Sequence, residues 1–259
     1  MKILILGHKG MLGTDLVSTL STSHDVTGKD IEDFDISSAG DCGDVILESG
    51  ADVVVNAAAY TDVDGCESDR QGCFSVNAEG VKNVALACND RGIKIVHFST
   101  DYVFDGTKGS PYLEGDVCNP INTYGESKMQ GEVYLKEVSD NFILLRTSWL
   151  YGKSGKNFVE AIVEKARNVT KLEVVDDQTG SPTYTVDLAA AVRVLVEGNH
   201  TGVFHVTNRG KCSWYEFAMK ILEYAGITDV EVEPIKSDKL TRKALRPQYS
   251  VLSCRKFLD

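Results

Sequence analysis

The sequence lacks the marks of several large protein classes. Positive charge is in short supply: 27 Lys and Arg stand against 38 Asp and Glu, for a formal net charge of −11. Wrapping of nucleic acid and adhesion to an anionic membrane both depend on basic surface, so neither partner is expected. Paired cysteine motifs are missing too. The seven cysteines, at 42, 66, 73, 88, 118, 212 and 254, are odd in number and contain no CxxC pair. That favours reduced thiols and a cytoplasmic protein over a disulfide framework or a zinc site. No long hydrophobic run occurs. Ile3-Leu4-Ile5-Leu6 stops at Gly7, far short of a secretion-signal core or the roughly 20 residues of a spanning helix. Asn168-Val-Thr170 and Asn199-His-Thr201 match the glycosylation sequon, but without a secretion signal they carry no weight. Fixed-period repeats, low-complexity tracts and charge blocks are also absent, which excludes a solenoid or a charged tail.

What remains is an ordinary globular composition, 42% hydrophobic and 25% charged, able to bury a large core. Short apolar runs at Lys2 to Leu6, Asp25 to Thr27, Asp52 to Val55, Ile93 to Phe98 and Phe142 to Arg146 read as strands buried on both faces. Helical patterns at Met11 to Leu20, Ser38 to Glu48, Asp69 to Asn89 and Thr123 to Val138 lie between them. This alternation predicts an α/β fold, a doubly wound parallel sheet with right-handed crossovers. After about residue 152 the pattern loosens. Helices are expected at Phe158 to Arg167, Val186 to Val196 and Trp214 to Tyr224, with strands near Leu172 to Val175, Val203 to Val206 and Val230 to Glu233. The expected division is a core over residues 1–150 and a smaller C-terminal lobe over 151–259, partly interleaved with it.

The first strand runs into Gly7, Gly10 and Gly13, spaced GxxGxxG, and then into a helix. Glycines there permit a tight turn and close approach to a pyrophosphate, and the helix N-terminus attracts the anion. Asp30 stands after the second strand, at the distance where an acidic side chain meets adenosine ribose hydroxyls, which favours NAD. Lys9 and Lys29 pull the other way, since either could neutralise a 2′-phosphate, so NADPH and NADH both stay open. Asn56-Ala57-Ala58-Ala59 places small side chains at a strand's carboxyl end, where a nucleotide lies against backbone. Tyr124 and Lys128 are four apart on a helix and share a face. An ammonium beside a phenol favours phenolate, so Lys128 is expected to lower the Tyr124 pKa toward working pH and make Tyr124 a proton donor. Thr100, about 25 residues upstream at the end of the fourth strand, completes a Thr, Tyr, Lys set.

The chain resembles the extended short-chain dehydrogenase/reductases, and within them the dTDP-4-dehydrorhamnose reductases. The matching stretches are Gly7 to Gly13, Val55 to Thr61, Phe98 to Gly106, Asn122 to Lys128, Arg146 to Gly152, Asp177 to Pro182 and Arg246-Pro247. The resemblance implies a Rossmann-type core with a substrate-binding lobe and reduction of a dTDP-sugar ketone by NADPH or NADH. It implies that Gly10, Met11 and Leu12 border the cofactor pyrophosphate and Asp30 the ribose. Asp35 and Ile36 would flank adenine, while Ala59, Tyr60, Thr61 and Phe98 would line the path to the nicotinamide. Thr100 would hold the keto oxygen, with Asp101 and Tyr102 beside it, and Trp149 would pack against the deoxyhexose. Asn77 resembles the asparagine that supports the proton relay, and Arg246 would reach the substrate diphosphate.

Family members usually continue past the Arg-Pro segment with a further aromatic-containing helix, whereas this chain stops at Asp259. Some dimerise through acidic residues around a magnesium ion. Asp15 stands at one ligand position, but the final region that supplies another is missing, so a complete metal site is not expected. A monomer and a homodimer both stay open. Two other readings share the scaffold. A nucleotide-sugar dehydratase would show Asp-Glu after the catalytic Thr, where Tyr102 follows Asp101 here, and an epimerase would retain bound NAD. A non-catalytic subunit resembling methionine adenosyltransferase β is the other.

Overall fold

Strand β1 (Lys2–Leu6) and helix α1 (Met11–Leu20) lie where the apolar pattern puts them in this computed structural model, which describes residues 1–259. Then follow β2 (Asp25–Lys29), α2 (Ala39–Ser49), β3 (Val53–Asn56), α3 (Val63–Ser68), α4 (Arg70–Phe74), a π-helical turn (Ser75–Glu79), α5 (Gly80–Asn89) and β4 (Lys94–Thr100). Next come α6 (Thr123–Val138), β5 (Phe142–Thr147), β6 (Leu150–Tyr151), α7 (Phe158–Ala166), β7 (Lys171–Val175) and β8 (Thr179–Gly180). The chain closes with β9 (Thr183–Tyr184), α8 (Thr185–Glu197), β10 (Gly202–His205), β11 (Cys212–Ser213), α9 (Trp214–Ala225), β12 (Glu231–Ile235) and α10 (Arg255–Leu258).

Six strands form the main sheet in the order β2-β1-β3-β4-β5-β10, and every pairing is parallel. Successive side chains of a strand point to opposite faces, and a parallel sheet must cover both. In β1, Ile3 and Ile5 join Leu16 of α1 and Leu188 and Val192 of α8. Leu4 and Leu6 face the other way, toward Ile46 of α2, Val84 of α5 and Leu135 of α6. Residues beyond 150 thus supply both an edge strand, β10, and a covering helix, α8. A separate small core joins β7 and β12 to α7 and α9 through Ile162, Leu172, Val174, Ile221 and Leu222. No helix is long and apolar enough to cross a membrane.

Two expectations need correction. β2 is an edge strand, not a buried one: Asp25 and Thr27 are exposed because nothing pairs beyond them. The helix expected from Asp69 to Asn89 is interrupted by the π turn at Ser75–Glu79, which a simple 3.6-residue period cannot reveal.

The order of strands reverses at β1, which has β2 on one side and β3 on the other. In such sheets ligands bind at the carboxyl ends beside that reversal. The turn there is shaped by close approach. Gly7 has φ +78°, and a Cβ on it would lie 2.7 Å from the Ala58 amide nitrogen. At Gly13 a Cβ would fall 2.1 Å from the Gly7 carbonyl oxygen. Replacing Gly13 by Ala therefore forces α1 away from the loop, and stability should drop by about 1–3 kcal/mol. A denaturant midpoint checks this; an unchanged midpoint would mean the loop yields freely.

Candidate active site

Helix α1 opens on Gly10 in extended conformation, with no side chain capping its first amides and no acidic residue in its first turn. By contrast Ser38 caps α2, Asn122 caps α6, Asn157 caps α7 and Ser213 caps α9. An N-terminus with unclaimed amides attracts an anion. Gly7, Gly10, Met11, Leu12 and Gly13 make up this turn and the start of α1, and Gly7 packs against Ala58. Asp30 closes the loop from the side. Its Oδ2 accepts the Lys9 amide at 2.8 Å and its Oδ1 accepts the Ile31 amide at 2.9 Å. Lys9 pairs with Glu32 at 3.0 Å, so its charge is already matched.

The other expected cofactor residues divide by environment. Asp35 is exposed and accepts the amide and hydroxyl of Ser37. Ile36 is turned into the core against Gly80, and its carbonyl accepts Asn83. Ala58, Ala59 and Tyr60 are half-buried just past β3, Thr61 is exposed, and Phe98 is buried within β4. Asn77, in the π turn, takes the Tyr60 amide on Oδ1 at 2.9 Å and donates from Nδ2 to the Tyr60 carbonyl at 3.0 Å. The same Nδ2 reaches Ser127 Oγ at 3.1 Å, and Ser127 donates to the Tyr124 carbonyl at 2.7 Å. One amide side chain thereby ties the β3 loop to the helix that carries Tyr124.

Thr100 ends β4, and its hydroxyl donates to Asp101 Oδ1 while accepting the Tyr102 amide, each at 3.1 Å. Tyr102 and Tyr124 meet edge to face, 6.0 Å between ring centres. The first turn of α6 is held from two sides. Asn122 Oδ1 accepts the Gly125 amide at 2.7 Å, while Glu67 of α3 accepts the Thr123 amide and hydroxyl at 2.8 and 2.9 Å. Glu67 was invisible to sequence reasoning, since no local pattern links it to residue 123.

Electrostatics here differ from the expectation. Burial and the nearby Asp101 carboxylate hold the Tyr124 phenol above its ordinary value, so the expected lowering by Lys128 is corrected. A phenol in this state keeps its proton at neutral pH and can give it away. Burial also brings Lys128 down to about 8, opposed by Glu132, and raises Asp101 to about 7.

The proposed substrate side is more occupied than expected. Trp149 has φ +50° and stacks on Trp214 with 3.5 Å between ring centres. A Cβ on Gly180 would lie 2.4 Å from the same indole. A sugar can use the Trp214 face of Trp149 only after Trp214 leaves it. Arg246 is held in a two-pronged pair with Asp64 at 2.8 and 2.7 Å, beside Tyr102. The Asp15 carboxylate accepts from Thr185, and no group of three His, Cys, Asp or Glu side chains is arranged to hold a metal ion.

The sequence profile of the RmlD substrate binding domain family matches residues 1–259. The chain belongs to this family. A dTDP-4-keto-6-deoxy-D-glucose reductase from Streptomyces niveus is 39% identical, over 96% of this chain and 87% of that protein. The crystal structure of a dTDP-4-dehydrorhamnose reductase from Clostridium acetobutylicum superposes with a TM-score of 0.96 at 41% identity, covering 98% of this chain and 91% of that one. A Bacillus anthracis dTDP-4-dehydrorhamnose reductase in complex with NADP gives a TM-score of 0.95 at 38% identity, covering 98% and 90%. In this RmlD-family chain Tyr124 reaches Thr100 at the carboxyl end of β4, and Lys128 lies buried one turn further along α6.

A buried lysine has a measurable signature. The unfolded chain holds the Lys128 proton up to the ordinary value of 10.5, and the folded chain releases it near 8. The unfolded state therefore binds more protons between these limits, and stability rises with pH across them. Relative to a Lys128→Met variant, the native chain should gain roughly 3 kcal/mol from pH 8 to pH 10.5. Parallel unfolding curves for the two proteins would exclude it.

Proposed function

We propose that this protein reduces the C4 ketone of dTDP-4-dehydro-β-L-rhamnose to the alcohol of dTDP-L-rhamnose, using NADPH or NADH. The observation that carries the reading is the Tyr124 phenol within hydrogen-bond reach of Thr100 at the carboxyl end of β4, with Lys128 one turn further along α6 and the uncapped start of α1 on the same edge of the sheet. Relatives of both kinds named above, the dTDP-ketosugar reductases and the NADP-bound structure, support it.

The Gly7 to Gly13 turn would hold the cofactor pyrophosphate and Asp30 the adenosine ribose. The bound nicotinamide supplies the hydride for C4. Tyr124 then gives its phenolic proton to the carbonyl oxygen, so that C=O becomes CH–OH. The Thr100 hydroxyl donates a hydrogen bond to that oxygen as its negative charge grows, and Lys128 would bind the nicotinamide ribose. Asp101 and Tyr102 border the sugar. Seven free thiols fit a reducing compartment, which supports the cytoplasm as the place of reaction.

NADPH and NADH oxidation should be assayed with enzymatically generated dTDP-4-dehydrorhamnose, and with a UDP-4-ketosugar as control. Turnover is expected with the dTDP substrate. Tyr124→Phe should lose at least about a thousandfold in kcat, within the reach of general acid catalysis, and keep cofactor affinity. Full turnover by that variant would remove Tyr124 from the mechanism.

A further inference from the structure

Helix α6 carries a second charged residue that faces the same way as Lys128. Glu132 is four positions further on, and residues four apart on a helix share a face. Both are buried, at 3% exposure for Lys128 and 1% for Glu132. Glu132 is fixed from behind by Arg146 of β5, whose Nε donates to Oε1 at 2.8 Å and Nη2 to Oε2 at 2.7 Å. Lys136 adds a bond to Oε2 at 3.0 Å. Arg146 is fixed in turn. It donates to the Glu114 carbonyl at 3.2 Å and lies 5.1 Å over the Phe104 ring.

The titratable groups facing Lys128 are few. On its own helix Tyr124 and Glu132 stand four positions to either side, and Glu132, Cys73 of α4 and His97 of β4 are close enough to feel its charge. His97 is fully buried and held neutral, and Cys73 lies 3.1 Å from Ser127 Oγ. Glu132 is therefore the carboxylate in this set. A loose carboxylate would fold onto the ammonium and draw it out of the cleft. One gripped by two guanidinium bonds stays in place and acts through its field alone.

We propose that Glu132, clamped by Arg146, is a positioning residue that supplies the fixed counter-charge for the Lys128 ammonium. Its effect on turnover rests on the reductase reading above, whereas the charge on Lys128 can be measured without turnover. Burial already disfavours the ammonium, and without Glu132 its proton is lost at lower pH, leaving the cleft without its cation under working conditions.

Isotope-labelled lysine NMR tests this directly, with the Lys128 Nζ titration followed in the native protein, Glu132→Gln and Glu132→Gln/Arg146→Met. The double variant leaves no unpaired buried charge in the α6 to β5 contact, since Lys136 reaches solvent, so it carries the test where the single variant folds poorly. Lys128 should titrate about one pH unit lower or more in both, and the alkaline limb of the kcat profile should move with it. That amounts to about a tenfold loss of kcat in the falling limb, with KM for the ketosugar unchanged. Glu132→Asp, which keeps the charge, should restore most of the titration. If Glu132 serves only to pair Arg146, the double variant titrates like the native protein and the proposal is overturned. A shifted titration in a protein that reduces no ketosugar would sustain the counter-charge and sink the reductase reading instead.

Discussion

An ammonium group under a helix, away from bulk water, is the demand around which the carboxyl edge of this sheet is organised. A buried charge costs several kcal/mol unless partners compensate it. The depth of that burial is set by how closely α6 approaches its neighbours. A Cβ on Gly125 would lie 2.2 Å from the Tyr102 carbonyl oxygen, and one on Gly131 would lie 2.3 Å from the Asn77 carbonyl oxygen. These contacts set the height of the helix above β4. Height in turn decides whether Tyr124 reaches Thr100 and whether Glu132 meets Arg146. Breaking that ion pair by losing one partner would cost about 3–5 kcal/mol by analogy with other buried pairs.

Rigid and yielding parts are separated. The parallel sheet and its two apolar layers hold the glycine turn and the ends of β3 and β4. The segment around Ala244 to Arg246 belongs to neither layer and is held by Asp64 and Asn122, through the Ala244 amide and the Leu245 carbonyl. Those bonds join the loop to α3 and to the cap of α6. A ligand that engages Arg246 must compete with the Asp64 carboxylate, and such competition favours groups of higher negative charge, as a diphosphate is.

Much of this was legible from residues alone. The apolar run of β1 stops at Gly7, and the helical patterns of α1 and α6 run from Met11 to Leu20 and from Thr123 to Val138 as expected. The π turn was not legible, because nothing in the local sequence separates it from the helical turns on either side. Nor were contacts made across sequence, such as Glu67 with Thr123, Asp64 with Arg246 or Trp149 with Trp214. Glu132 was within reach, as its i+4 relation to Lys128 is local. Its importance depends on Arg146, which only the pairing of β4 with β5 brings alongside. The Tyr124 phenol shows the other limit. Spacing announces a nearby cation, but burial and the Asp101 charge decide the balance, and both depend on the folded environment.

The stacked indoles have an optical consequence. The chain contains two tryptophans, and they are Trp149 and Trp214, parallel to within 6°. One lies between β5 and β6, the other begins α9, so the pair spans the junction of the main sheet with the smaller core. Transitions of two chromophores this close mix, and the chain absorbs and emits in the indole band as a single coupled unit. Its ultraviolet spectrum is thus an internal ruler for the register of the two cores, with no label attached.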